Sequence, residues 1–330
     1  MSNGISSVLE GGSYSVGWMN TMNWIRTLLI PFLLLLCWAG AGARSITSDS
    51  IAHLELPAVR PGDQVIRHYA YTLCYSEVHE QARWVAYALT AAETQGPEER
   101  ASGFYEDPAV RTGSATNADY AGSGYDRGHL APAGDMTWSE TAMKESFYYS
   151  NMSPQVPSFN RGIWKKLESL VRAWAQEYDG VYIVTGPVLN AGLPSIGPEN
   201  VSIPDHYYKV ILDGRGTGWK AIGFLMANAA SSAPLSAFAV PVDEIELRTG
   251  IDFFPALPDD AEKAVESSLQ LSDWDWKSSV STIHSHVAAD DPGDDSLRVT
   301  GSVQCSGITK KGLRCRNRTL HPSGRCHLHQ

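Results

Sequence analysis

The stretch YDRGHLAPAGDM, residues 125–136, sets Asp126, Arg127, Gly128 and His129 side by side and stops any helix at Pro132. These residue types can handle a phosphate. An imidazole with an ordinary pKa near ~6.5 can take a proton from water at neutral pH. A planar guanidinium grips phosphate better than a lysine ammonium does. Farther along, Asn151, Asn160 and Glu168 add amide and carboxylate oxygens, the donors that a hard cation such as Mg²⁺ prefers. Each residue also has a bland reading. A loop histidine can be a satisfied surface residue, Asn160 a helix N-cap, and Glu168 a solvated helix residue pairing with Lys165 or Arg172. Spacing within one loop does not choose between the two.

The elements that must position these residues can be read from periodicity. YAYTLCYSE alternates aromatic and small residues and predicts a strand from Tyr69 to Tyr75. In HEQARWVAYALT, the apolar positions Ala82, Val85, Ala86 and Leu89 fit a short helix or a strand equally. Residues 92–124 form a long polar stretch of the kind that is functional or mobile. NRGIWKKLESLVRAWAQEY is the clearest helix: Trp164, Leu167, Val171, Trp174 and Tyr178 recur on one face. If Asn160 and Glu168 both lie in it, eight residues is a little over two turns and they point roughly the same way. DGVYIVTGPVL reads as a buried strand and HYYKVILD with WKAIGFLMAN as a hairpin. PLSAFAVPVDEIELRTGIDFF reads as a strand and a short helix ending at Gly250. There are no internal repeats, and the order is α+β rather than alternating βαβ.

Taken together, DRGHLAPA and NMSPQVPSFNRGIWKKLE resemble the DNA/RNA non-specific endonucleases, the ββα-metal or His-Me finger nucleases with an Asp-Arg-Gly-His signature. The resemblance extends over roughly residues 65–277. It implies a ββα-metal nuclease fold with a mixed, mainly antiparallel central sheet and a long helix carrying the metal site. It implies His129 as general base, Asn160 as the direct Mg²⁺ ligand through its amide oxygen, Glu168 acting through metal-bound water, and Asn151 supporting the site. Mn²⁺ or another divalent ion could replace Mg²⁺. Arg127 is implied as a phosphate ligand. A second such arginine is expected before an aromatic-x-x-Asp-Pro stretch, and Arg100 precedes Phe104 and Asp107-Pro108. Asp126 is expected to shape the loop. The implied substrates are DNA and RNA, and a homodimer is compatible with the resemblance. The alternatives are a catalytically silent nucleic-acid-binding protein of the same fold and a structural cell-surface protein dominated by its tail.

A net charge of −10 argues at first against a polyanion partner. The charge is uneven. Residues 305–330 hold six Lys/Arg and no acid, which leaves −10 − 6 = −16 on residues 1–304. An anion site in the main domain must therefore be local or recruit a metal cation. Residues 1–43 read as a signal peptide, with an apolar run from Leu28 to Trp38 and small residues Ala39, Ala41 and Ala43; the true start could be Met19 or Met22. An uncleaved anchor is the competing reading. Export to a secreted or periplasmic location is the expectation, with no stable membrane anchor after cleavage. Residues 44–64 read as a lead-in, 65–284 as the nuclease domain, 285–304 as a linker and 305–330 as a separate basic module. In the last, Cys305, Cys315, Cys326 and His329 form C-x9-C-x10-C-x2-H, which suits a structural Zn²⁺ and resembles small zinc-knuckle-like tails. His321 and His327 are alternative ligands, and a disulfide within the tail or to Cys74 competes.

Overall fold

The computed structural model describes residues 53–214 and 218–276, with the backbone of two short strands, Val303–Gln304 and Arg318–Thr319. The predicted signal peptide, the linker apart from Val303–Gln304, and the Cys305, Cys315, Cys326 and His329 set lie outside the described residues. Among the described residues, no helix is long and apolar enough to cross a membrane.

The frame is a seven-stranded sheet. Its strands are β1 (Gln64–Arg67), β2 (Thr72–Ser76), β3 (Gln81–Leu89), β6 (Val181–Pro187), β9 (His206–Asp213), β10 (Lys220–Ala227) and β11 (Ala239–Val240), in that spatial order. Every neighbouring pair is antiparallel. The sheet thus agrees with a mainly antiparallel expectation and has no parallel pair. Side chains alternate across it. Leu73, Val85, Ile183, Ile211 and Ile222 pack on one face with α3 (Lys165–Glu177), through Leu167, Leu170, Val171 and Trp174. Cys74, Trp84, Val184, Val210, Leu212 and Ala221 pack on the other, with Val242 and Ile245 of α4 (Val242–Thr249) and Val265 of α5 (Asp259–Ser267).

Burial on both faces explains the ambiguous HEQARWVAYALT. Residues 81–89 are a central strand, paired on each edge with β2 and β6, so its apolar run lacks the simple alternation of a half-exposed strand. The strand predicted from Tyr69 starts at Thr72 instead, because His68 N–H bonds to Tyr71 O (2.8 Å) and closes a turn first. Gly250 ends α4 in the left-handed conformation (φ 64°), as the sequence indicates. Cys74 is a free, buried thiol on β2, pushed up to about 11 chiefly by that burial.

The predicted helix 160–178 is not continuous. α3 begins only at Lys165. Before it, Phe159–Trp164 is a π-type segment in which Gly162 has non-helical angles (φ −107°, ψ −108°) and Lys165 N–H reaches back five residues to Asn160 O. Such wide turns commonly mark functional sites. The long loop is also structured. Its α1 (Asn117–Tyr120) carries a Thr116/Asp119 capping box, and its buried Asp107 takes Ser150 Oγ–H (2.5 Å) and Ala109 N–H (2.9 Å), with His68 Nε2 2.9 Å away. Burial alone would raise the Asp107 pKa, but the bonds from His68, Ser150 and Ala109 outweigh it and lower it.

Trp174 joins α3 to the sheet and to the chain beyond α5. Its ring lies 4.5 Å from Trp274 and 6.0 Å from Phe224, and its Nε1–H donates to Asp275 O (2.6 Å). Trp174→Ala should cost about 3–5 kcal/mol. Urea unfolding would show a lower midpoint at an unaltered m-value; an unmoved midpoint would refute this central role.

Candidate active site

The site grows from a small hairpin, β4 (Asp126–His129) with β5 (Met152–Gln155), which leads through the π-type segment into α3. Between the two strands lies α2 (Glu140–Ser146), with Ser139 as its N-cap. A third pair, β7 (Ser195–Ile196) with β8 (Val201–Ser202), packs nearby through Ile196 and Val201 against Tyr149 and Met152. The register sets Asp126 opposite Gln155 and His129 opposite Met152. Gly128 is required by the packing: a Cβ there would sit 2.2 Å from Gln155 Cδ, and Gln155 is fully enclosed.

His129 is 7% exposed, between Phe147 (4.7 Å, edge-on) and Phe104 (5.8 Å). Its Nε2 has no hydrogen-bond partner. Burial first, and then the positive charge of Arg100, push its pKa well below 6.5. The ring is therefore neutral at physiological pH and can accept a proton. Asn151 is spent on structure. Its Oδ1 takes Ala131 N–H (2.9 Å), and its Nδ2 donates to Ala131 O (2.9 Å) and Ser146 O (2.8 Å). It clamps the chain just past His129.

Asn160 does not cap a helix. Its Nδ2 donates to Asp126 Oδ2 (2.9 Å), while Arg161 Nε and Nη2 bind Oδ2 and Oδ1 (2.9 and 2.8 Å). A carboxylate only accepts, so the amide must turn its NH₂ to Asp126 and its oxygen away. That leaves Asn160 Oδ1 and the Glu168 carboxylate as oxygen donors on one β4–β5–α3 unit, a set that fits a hard divalent cation.

Glu168 is only partly exposed, and burial pushes its carboxyl up to about 7 against the opposing charges of Lys209 and Arg172. Lys209 on β9 is 1% exposed, with Nζ lying 5.0 Å over the Trp164 ring and without a hydrogen-bond partner; burial lowers it to about 8. Arg172 donates to Asp135 Oδ1 (2.7 Å), whose Oδ2 takes Tyr87 O–H (2.7 Å). Sequence reasoning passed over Lys209, Asp135 and Tyr87. The available signal was a single lysine in the inward register of HYYKVILD, on the same strand face as Tyr207 and Ile211.

Both expected arginines reach this region. Arg127 stacks over Phe104 (5.1 Å), and its Nη2 binds Asn117 Oδ1. Arg100 lies over Phe147 (5.0 Å), the ring that touches His129, and its charge acts on both His129 and Glu168.

The sequence profile of the DNA/RNA non-specific endonucleases matches residues 55–260. The chain belongs to that family. Members similar to it include mitochondrial endonuclease G of Bos taurus, 37% identical over 220 residues, covering 62% of this chain and 73% of that protein. Nuclease C1 of Cunninghamella echinulata var. echinulata is 38% identical over 233 residues, covering 64% and 90%. A chain of the EndoG/EndoGI complex, a crystal structure described as the mechanism of EndoG inhibition, superposes with a TM-score of 0.59 at 32% identity, covering 64% of this chain and 93% of its own. As a member of this family the protein is a nuclease, with nucleic acid as its substrate class. The expected secreted or periplasmic location does not stand, because several similar family members are mitochondrial by name.

Gly128→Ala should destabilise this endonuclease by about 1–3 kcal/mol, since the enclosed Gln155 cannot retreat. It should also lower kcat by displacing His129. A thermal midpoint and plasmid-nicking rate equal to wild type would show that the hairpin has slack.

Proposed function

We propose that the protein is a Mg²⁺-dependent nuclease that hydrolyses DNA and RNA with little sequence preference. Two features in one hairpin-helix unit carry this reading: a neutral, enclosed His129, and an Asn160 whose amide oxygen is turned away from Asp126. Asn160 Oδ1, directly, and Glu168, through water, would hold the ion. When bound, it supplies Lewis-acid neutralisation of the phosphate and of the leaving oxygen.

The residues of the chain account for the rest. Arg127 and Arg100 bind phosphate oxygens and so position the diester without reading bases. His129 takes the proton of the attacking water. Burial, and then the charge of Arg100, hold the His129 pKa down in the free protein, and pairing Arg100 with a phosphate offsets the second of these. Substrate binding thereby raises the basicity of His129 as the base is needed. Lys209 and Arg172 favour the ionised form of Glu168. Asn151 and Asp126 position His129 and Asn160 and do not touch the substrate.

His129→Ala should reduce turnover on plasmid DNA and on RNA by about 10²–10⁴-fold with the fold intact by circular dichroism. EDTA should silence the wild type. Substantial residual activity in the variant would refute the general-base role.

The pH profile separates the two ionising groups. Glu168, raised to about 7, gains a proton as pH falls through that value, whereas His129 stays neutral to lower pH. At limiting Mg²⁺, kcat/KM should fall below about pH 7. A cation favours the carboxylate, so saturating Mg²⁺ should move this acid limb to lower pH. A limb that stays in place across a roughly hundredfold range of Mg²⁺ would assign it to another group.

A further inference from the structure

On the sheet face opposite α3, the two helices α4 and α5 bring three carboxylates together. Asp243 and Glu246 stand three residues apart on α4 and share a face, while Glu266 comes from the last turn of α5. One carboxylate oxygen from each lies within 4.8 Å of the others. Asp243 is exposed, Glu246 partly buried, and Glu266 only 6% exposed.

Glu266 is the informative member. Its Oε1 is enclosed and has no hydrogen-bond partner, although its carboxylate faces the other two. Enclosed acceptors in folded proteins are almost always satisfied. Burial, followed by the charges of Glu246, Glu262, Asp243 and Asp252, pushes its carboxyl up to about 9. The charges that act on it most strongly are all acidic, and the neighbouring Arg248 is committed to Glu244 (2.9 Å). Glu246 is held in place, since its Oε1 accepts Phe253 N–H (2.8 Å).

We propose that Asp243, Glu246 and Glu266 form a Ca²⁺-binding site that staples α4 to α5, separate from the nuclease centre. The donors are all carboxylate oxygens, with no histidine or cysteine among them, which disfavours zinc and suits a hard cation. Ca²⁺ accepts six to eight oxygens in flexible geometry at about 2.3–2.6 Å, so carboxylates from two separate helices can close on it with small shifts. The exposed Asp243 leaves one side open to water ligands.

The test uses the full chain stripped with EDTA and then titrated with CaCl₂, followed by calorimetry and thermal unfolding. Ca²⁺ should raise the midpoint by about 5 °C. The rise should persist in Asn160→Ala, which removes the proposed nuclease-centre ligand, and vanish in Asp243→Asn and Glu266→Gln. Asp243 is exposed, so its variant tests the site without threatening the core, and its plasmid cleavage at saturating Mg²⁺ should match wild type. An equal Ca²⁺ response in Asp243→Asn and wild type would overturn the proposal. So would a wild type indifferent to Ca²⁺ while metal-free Glu266→Gln melts higher, because a proton on Glu266 would then satisfy the cluster.

Discussion

The carboxylate of Asp126 ties the catalytic strand to the turn that follows it. One end of β4 carries His129 and the other carries Asp126, whose two oxygens take the Asn160 amide and the Arg161 guanidinium. Without that bond the Asn160 amide could rotate, and its oxygen would have no fixed direction. The π-type segment serves the same end. By breaking helical geometry at Gly162, it lets Asn160 face back to Asp126 while Glu168 stays in α3. A regular helix from Asn160 onward would fix both residues by helical repeat alone, with no freedom to adjust Asn160 to β4.

Behind Glu168, the fold carries a set of buried charges that a purely structural core would avoid. Lys209, Arg172 and Asp135 surround it, with Tyr87 and Trp164 as the walls. Burying an unpaired ammonium is expensive, and Lys209 Nζ has no hydrogen bond to offset the cost. The cost is tolerated because Glu168 and Asp135 favour the charged lysine, while Lys209 and Arg172 favour the ionised glutamate. Each charge makes the other affordable, so the group behaves as a coupled unit.

The sheet was legible in the sequence wherever strands were bounded by glycine or proline, as in VYIVTGPVL and the HYYKVILD hairpin. It was obscure at β3, because a strand buried on both faces loses the alternation that distinguishes it from a helix. The helix face from Trp164 to Trp174 was also legible, since packing against the sheet imposed its period. Its start was not. A wide turn depends on a tertiary partner, here Asp126, which lies 35 positions before Arg161. In the site, residue types made His129, Asn160 and Glu168 candidates, but local spacing left the bland readings open, and only the resemblance to the nuclease family gave them and Asp126 their expected roles. Lys209 escaped because its relation to Glu168 exists only across the sheet.

The acidic composition then has a physical resolution. Net charge averages over the surface, whereas a polyanion meets the local field. Arg100 acts on His129 and Glu168, Lys209 and Arg172 lie on the α3 side with them, and Arg127 stands at the hairpin mouth over Phe104. The acids that press on Glu266 belong to α4, α5 and the segment between them, on the opposite face of the sheet. The site thus carries its own local cations among its acids, and the acidic Glu266 cluster lies across the sheet from it. A phosphate backbone would therefore meet guanidinium groups at the site itself, so the negative total weakens long-range attraction without forbidding local binding.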